Sequence, residues 1–167
     1  MPRRTLCLIS ALLLPLSFAA SAQVVPAPAV PQVGSSNPVS PEPNVPRPST
    51  TPCSVTLFSN LAFADYSNKP LTFTPPAGCP GPWSRVVLTA DFTVSAGRQY
   101  DRTGTIFLGG ANIYFGTTAE PRAALSPSWH VERDLTDYSA LFTQPQTGDA
   151  FLGNIVNSTY TGIVYGT

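Results

Sequence analysis

From Ser84 to Val94 apolar and polar positions alternate. Val86, Leu88, Ala90, Phe92 and Val94 fall on one side, and Arg85, Thr89, Asp91 and Thr93 on the other. A period of two over that length predicts a half-buried antiparallel strand, because a helix would group residues three and four apart. Ser54–Phe58 repeats the pattern in shorter form, with Val55 and Leu57 on one side, as does Leu71–Thr74, which Pro75-Pro76 ends. Thr103–Leu108 and Ala111–Thr117 flank Gly109-Gly110, and two glycines supply the positive φ that a two-residue hairpin turn needs. In Ser128–Leu135, Trp129, Val131 and Leu135 alternate with His130, Glu132 and Asp134. Thr136 or Asp137 is placed to cap one short helical turn through Leu141-Phe142. Ala150–Val156 and Thr159–Tyr165 close the chain as two further strands. Short strands at this spacing, with Gly/Pro turns and almost no helix, predict an all-β fold: an antiparallel β-sandwich with jelly-roll-like topology.

The N-terminal third has a different pattern. Arg3 and Arg4 precede the apolar run Leu6–Leu16, and Ala20-Ser21-Ala22 offers small residues where a signal peptidase cuts. That is the three-part plan of a cleavable signal peptide, residues 1–22. The run falls short of the roughly 20 residues that span a bilayer, and nothing later in the sequence serves as a membrane span. Residues 23–52 carry nine prolines, among them Pro26, Pro28, Pro31, Pro38, Pro41 and Pro43, spaced by Ala, Val, Ser and Asn. Such a stretch cannot form a hydrogen-bond ladder, so a disordered, extended Pro-rich linker is expected. The domain proper is then residues 53–167, and the protein is expected to be secreted or periplasmic.

Charge narrows the partners. Nine Lys and Arg balance nine Asp and Glu, so no basic face exists to attract nucleic acid or anionic lipid. Cys7 leaves with the signal, and Cys53 and Cys79 remain. In an oxidising compartment the default for an even pair is a disulfide, here closing a loop of roughly 25 residues. Two separated Cys and one His lack metal-ligand spacing, so neither a metal nor another cofactor is expected.

Candidate chemistry rests on carboxylates and arginines. The chain has no Gly-x-Ser-x-Gly, and the single His130 lies on an alternating strand, where a surface or packing role is the expectation. Tyr100-Asp101-Arg102 stands at the mouth of the Thr103 strand, and Thr118-Ala119-Glu120-Pro121-Arg122 leaves the other end of the hairpin. Hairpin geometry brings that loop toward the start of the Thr103 strand, so Asp101 and Glu120 are expected on one rim. Pro121 biases Glu120 toward an extended conformation that projects its carboxylate. Trp83, Tyr114 and Trp129 have the chemistry to stack on sugar rings, although aromatics on strands more often belong to a core.

Several motifs in order resemble the N-terminal part of the peptide-N-glycosidase A family of amidases. They are Tyr100-Asp101-Arg102-Thr103, Ile106-Phe107-Leu108-Gly109-Gly110, Thr118-Ala119-Glu120-Pro121, Trp129 through Tyr138, Leu152-Gly153-Asn154 and Tyr160-Thr161-Gly162. A more distant similarity, to the peptide-N-glycosidase F type, places an aromatic-Asp-Arg element at a strand of the first jelly roll; here Tyr100 stands where that type has Trp. The resemblance implies Asp101 as the catalytic carboxylate and Glu120 as its partner. Arg102, Arg122, Tyr100, Trp129 and Asn154 become candidate substrate contacts. The F type's acidic residue on a later strand has no counterpart beyond the Gly153-Asn154 neighbourhood.

The implied activity is hydrolysis of the amide joining N-acetylglucosamine to an Asn side chain of an N-glycosylated peptide or protein. Asp101 activates or positions water, Arg102 or Arg122 steadies the oxyanion, and a protonated Glu120 assists departure of nitrogen. The products are free glycan, ammonia and Asp. The resemblance also implies a second jelly roll paired with the first, so weak or absent activity is expected of this chain alone. Two readings stand against the amidase: a non-catalytic exported carbohydrate-binding or adhesive sandwich, and a purely structural envelope domain.

Overall fold

The computed structural model describes residues 44–120 and 122–167. The expected signal peptide and most of the expected Pro-rich linker lie outside the described residues. Eight strands follow one another: β1 (Leu61–Phe63), β2 (Lys69–Phe73), β3 (Val87–Val94), β4 (Thr103–Leu108), β5 (Ala111–Thr117), β6 (Ser128–Asp134), β7 (Gln146–Leu152) and β8 (Val164–Gly166). A 3-10 helix, Thr136–Thr143, sits between β6 and β7.

The pairing is nested. β4 pairs with β5, β3 with β6, β2 with β7 and β1 with β8, all antiparallel. That is one long ribbon doubled back at the β4–β5 turn. Rolling the ribbon brings β3 against β8 and β4 against β7. Two four-stranded sheets result, β1-β8-β3-β6 and β2-β7-β4-β5, which is the strand order of a jelly roll. Phe63, Ala90, Phe92, Val94, Val131 and Val164 from the first sheet meet Leu71, Phe73, Ile106, Leu108, Ala150 and Leu152 from the second. Each fully buried side chain of this kind contributes about 1.5–3 kcal/mol by leaving water.

The hairpin forms as its glycines dictate: Gly109 and Gly110 have φ of 56° and 82°, the left-handed pair that matches the twist of the flanking strands. The β3 alternation also holds, with Ala90, Phe92 and Val94 buried and Thr89, Asp91 and Thr93 exposed. Elsewhere tertiary packing moves the boundaries. Ser54–Phe58 is not a strand; it is a strap whose Leu57 and Phe58 pack against the core. The strand pairing with β8 comes later, at Leu61–Phe63. β7 starts at Gln146 rather than Ala150, because Gln146 and Thr147 pair with β2, and Gly148 and Asp149 with both β2 and β4. β8 is only three residues long. The helical turn is preceded by Leu135, with no side-chain cap from Thr136 or Asp137. Instead Asp134 Oδ1 accepts from the Thr136 amide at 3.0 Å.

Cys53 and Cys79 are bonded, with Cα atoms 6.3 Å apart and a sequence separation of 26. The bond ties the strap to the segment before β3, which also carries Trp83. Replacing both cysteines by serine is expected to lower unfolding stability by about 3 kcal/mol, through the larger entropy of the open unfolded chain. Urea denaturation checks this; a loss below about 0.5 kcal/mol would show that the strap is held by its packing alone.

Candidate functional site

At one end of the sandwich the hairpin register assembles two carboxylates. Thr103 faces Thr117 across β4 and β5, and the pairing extends one step further, with the Thr118 amide donating to the Arg102 carbonyl at 2.9 Å. Asp101 and Glu120 therefore leave the ladder on the same rim. Their carboxyl groups stand within hydrogen-bonding reach, and this contact is the first cause raising Glu120 above the usual carboxylate range; burial and the Asp101 charge add to it, and Arg102 opposes it. Two carboxyls this close favour holding one proton between them. Both residues are exposed, so the pair is open to a ligand.

The loop beneath is rigidly built. Gly97, at φ 140°, turns the chain after β3, and its amide donates to the Ala123 carbonyl at 2.6 Å. That bond ties the β3–β4 loop to the loop carrying Glu120. Buried Gln99 donates through Nε2 to the carbonyls of Ser95 and Gly97 at 3.1 and 3.2 Å, and its Oε1 accepts from Arg102 Nη2. Arg102 is only 3% exposed. Its guanidinium carbon lies 4.8 Å from the centre of the Tyr100 ring, while Nε and Nη1 find no hydrogen-bond partner among the described residues. Burial pulls Arg102 below the usual guanidinium value, against the raising effect of Tyr100 and Glu120. The guanidinium stays charged nonetheless and is buried, whereas both carboxylates are exposed.

Tyr100 carries the site outward. Its hydroxyl accepts from the Ile155 amide at 2.5 Å, and its ring meets Tyr160 edge-on at 5.0 Å. Burial raises its phenol pKa above the ordinary value, the Ile155 amide lowers it, and a hydrogen bond with Tyr66 raises it. Arg98 lies over the Tyr160 ring at 5.4 Å. Asn154, next to Ile155, is 1% exposed. Its Nδ2 donates to the carbonyls of Phe63 and Gly162 at 2.7 and 3.2 Å, and its amide donates to Asp65 at 3.1 Å. It clamps three loops together and has no face toward solvent.

Residues 38–167 match the family described as peptide N-acetyl-beta-D-glucosaminyl asparaginase amidase A. The chain belongs to the peptide-N-glycosidase A family. It is 38% identical over 121 residues to peptide-N4-(N-acetyl-beta-glucosaminyl)asparagine amidase A of almond, Prunus dulcis, covering 71% of this chain and 21% of the almond protein. The chain thus spans about a fifth of that relative's length. No solved structure matches it.

Within this member of the peptide-N-glycosidase A family the candidate residues separate by position. Tyr100, Asp101, Arg102 and Glu120 converge. Arg122 is exposed in the loop beyond, its carbonyl accepting from the Leu125 amide at 2.9 Å. Trp129 packs flat on Phe92 at 5.5 Å, so its ring belongs to the sandwich interior; Trp83 donates to the Cys79 carbonyl at 3.2 Å and packs against the core. Tyr66, Arg98 and Gln99 join the site without a motif marking them, and Tyr160, which opens the Tyr160-Thr161-Gly162 motif, arrives from a separate loop.

His130 lies on the outer face of the other sheet. Its Nδ1 contacts Asp91 at 2.7 Å and its Nε2 contacts Glu132 at 3.2 Å. Asp91 is the first cause raising His130 above its ordinary value. Glu132 also accepts from Arg47 at 2.7 and 2.9 Å, a contact that, as the leading cause, lowers its carboxyl to about 2. These contacts fasten the end of the linker to β6. A cavity of about 680 Å³ lies between the strap and the start of β3, lined by Phe58, Trp83, Leu88, Ile106 and Phe142 among others. None of Tyr100, Asp101, Arg102 and Glu120 lines it. The charges at its mouth are already matched, Arg85 by Asp134 and Arg47 by Glu132. The rim at Asp101, where a proton donor and acceptor meet in the open, is the better chemical site.

Proposed function

We propose that this chain contributes to hydrolysis of the N-acetylglucosamine–asparagine amide of N-glycosylated peptides, with Asp101 and Glu120 as the acid–base pair. The contact between their carboxyls, which keeps a proton on Glu120 beyond the ordinary carboxylate range, carries this reading. Asp101 takes a proton from water as its oxygen attacks the side-chain carbonyl carbon. The tetrahedral intermediate then expels the amide nitrogen, which takes the proton from Glu120. The C–N bond breaks, and the peptide keeps Asp where it had Asn. The released glycosylamine is hydrolysed by a second water to the reducing glycan and ammonia. Arg102 acts from below, its buried positive charge opposing repulsion between the carboxylates. Arg122, on the same loop as Glu120, is the candidate to face the oxyanion. A second jelly roll is the expected partner in completing the cleft, and the secreted or periplasmic setting fits the Cys53–Cys79 bond.

The test is incubation with an N-glycopeptide in water labelled with heavy oxygen. Intact glycan must appear, and the label must enter the new Asp. The pH profile follows from the sign of the Glu120 shift. A raised pKa means that the proton is held at pH values where an ordinary carboxyl has lost it. Activity should persist into that range and fall as pH rises through the raised value. Glu120→Gln should lower the rate and remove this alkaline limb; an unchanged limb would take the acid role from Glu120. A binding-only reading predicts instead saturable glycan binding with no new Asp.

A further inference from the structure

We infer that Tyr66 is a fixed aromatic platform that seats a sugar ring of the glycan, the ring next to the one bonded to asparagine. This inference rests on the proposed function of the Asp101–Glu120 rim and names a subsite for it. Tyr66 is 60% exposed, the most exposed of the large hydrophobic residues in the described part of the chain. An exposed tyrosine in a turn is ordinarily free to rotate. This one is held from three sides.

Its ring lies against the backbone of Gly153: a Cβ built there would stand 2.8 Å from a Tyr66 ring carbon. Glycine thus makes the flat seat. The Phe151 ring flanks it at 6.4 Å between centres. At its far end the hydroxyl approaches that of Tyr100, the residue beside Asp101, and the Tyr100 hydroxyl itself accepts from the Ile155 amide at 2.5 Å. The backbone on both sides of Tyr66 is pinned too. Asp65 Oδ1 accepts from the Ser67 amide and the Lys69 ammonium at 2.9 and 2.8 Å, and the Asp65 carbonyl accepts from the Asn154 amide at 3.1 Å. The ring is therefore packed against Gly153 on one side, while 60% of the residue is left to solvent.

A rigid ring with one free face suits the apolar C–H face of a β-linked N-acetylglucosamine, because the ordering entropy that weakens binding is spent in folding. The Asn154 and Ile155 amides, donating to the Asp65 carbonyl and the Tyr100 hydroxyl, set the platform beside the residue that precedes Asp101, so a sugar stacked there lies next to the ring whose amide the carboxyls address. Exposed Ile155 and Val156 follow Gly153 and Asn154 in the chain and offer an apolar rest for the acetamido methyl.

The experiment titrates the isotope-labelled chain with N,N′-diacetylchitobiose, following backbone amides by NMR. The expected shifts centre on Ser67, Gly153 and Ile155. Tyr66→Ala should weaken binding about tenfold, and Tyr66→Trp should restore it. Gly153→Ala should weaken it as well, by lifting the ring from its seat. Asp91→Asn, on the outer face of the other sheet beside His130, should bind the disaccharide as the parent does. Absence of saturable binding, shifts centred elsewhere, or equal affinity in Tyr66→Ala would each overturn the platform. So would a change in self-association in Tyr66→Ala without a change in sugar affinity, which would make the patch a protein contact. Glycan release that survives Asp101→Asn would overturn the catalytic reading while leaving the platform standing, so the two failures are separable.

Discussion

Asp101→Asn lowers glycan release from an N-glycopeptide by about 10²–10⁴-fold, the usual contribution of a positioned acid–base group, with no change in melting temperature beyond about a degree. The substitution keeps the size and the hydrogen-bonding reach of the side chain and removes only its capacity to take a proton from water. Asp101 is exposed at the strand mouth and supports no part of the core, so the fold does not depend on its charge. The assay uses this chain with excess glycopeptide, scored by the Asn-to-Asp conversion. Retained conversion in Asp101→Asn would move the base elsewhere, and no conversion by the parent chain would exclude it as an amidase on its own. Asn also removes the charge that raises Glu120, so residual activity should lose its alkaline limb at a lower pH than the parent's.

The second large effect is structural. Asn154→Leu, a change of similar volume, is expected to cost about 3 kcal/mol, because the Phe63 and Gly162 carbonyls lose their donor while remaining buried, each at about 1–3 kcal/mol. Urea denaturation measures the loss. Amide exchange should quicken first around Asp65 and Ile155, the loops that the clamp holds. A loss within about 0.5 kcal/mol would show that water reaches those carbonyls and that Asn154 is no clamp. Since Asn154 presents no surface to a ligand, disaccharide affinity in whatever fraction stays folded should follow the order of the loops. The contrast with Asp101 is the useful one: one side chain acts in solvent with no structural role, the other in the interior with no chemical one.

Much of this architecture was legible beforehand for a physical reason that can be named residue by residue. The strand from Val87 to Val94 and the hairpin about Gly109-Gly110 are local objects: alternation declares a buried face, and two left-handed residues declare a turn. The hairpin even carries the site, since two strands paired in register must bring the residues just beyond their ends together. That is why Asp101 and Glu120 were expected on one rim. Ser54–Phe58 misled because alternation measures only which side is apolar; a strap lying across a core needs the same pattern as a strand. Leu61–Phe63 was invisible because three residues carry no period, and its pairing with β8 depends on a partner a hundred residues away in the chain.

The sequence by itself determined the sandwich class, the hairpin and the carboxylate rim, since each follows from spacing within a short stretch and from the chirality of the backbone. Tertiary structure alone decided that Arg102 is buried while the carboxylates stay exposed, that Asn154 is a clamp, and that Tyr66 is braced against Gly153 and Phe151. Those facts depend on how the two sheets close and which loops meet at their end. Burial and long-range hydrogen bonds are properties of the folded assembly, and no local run of residues encodes them.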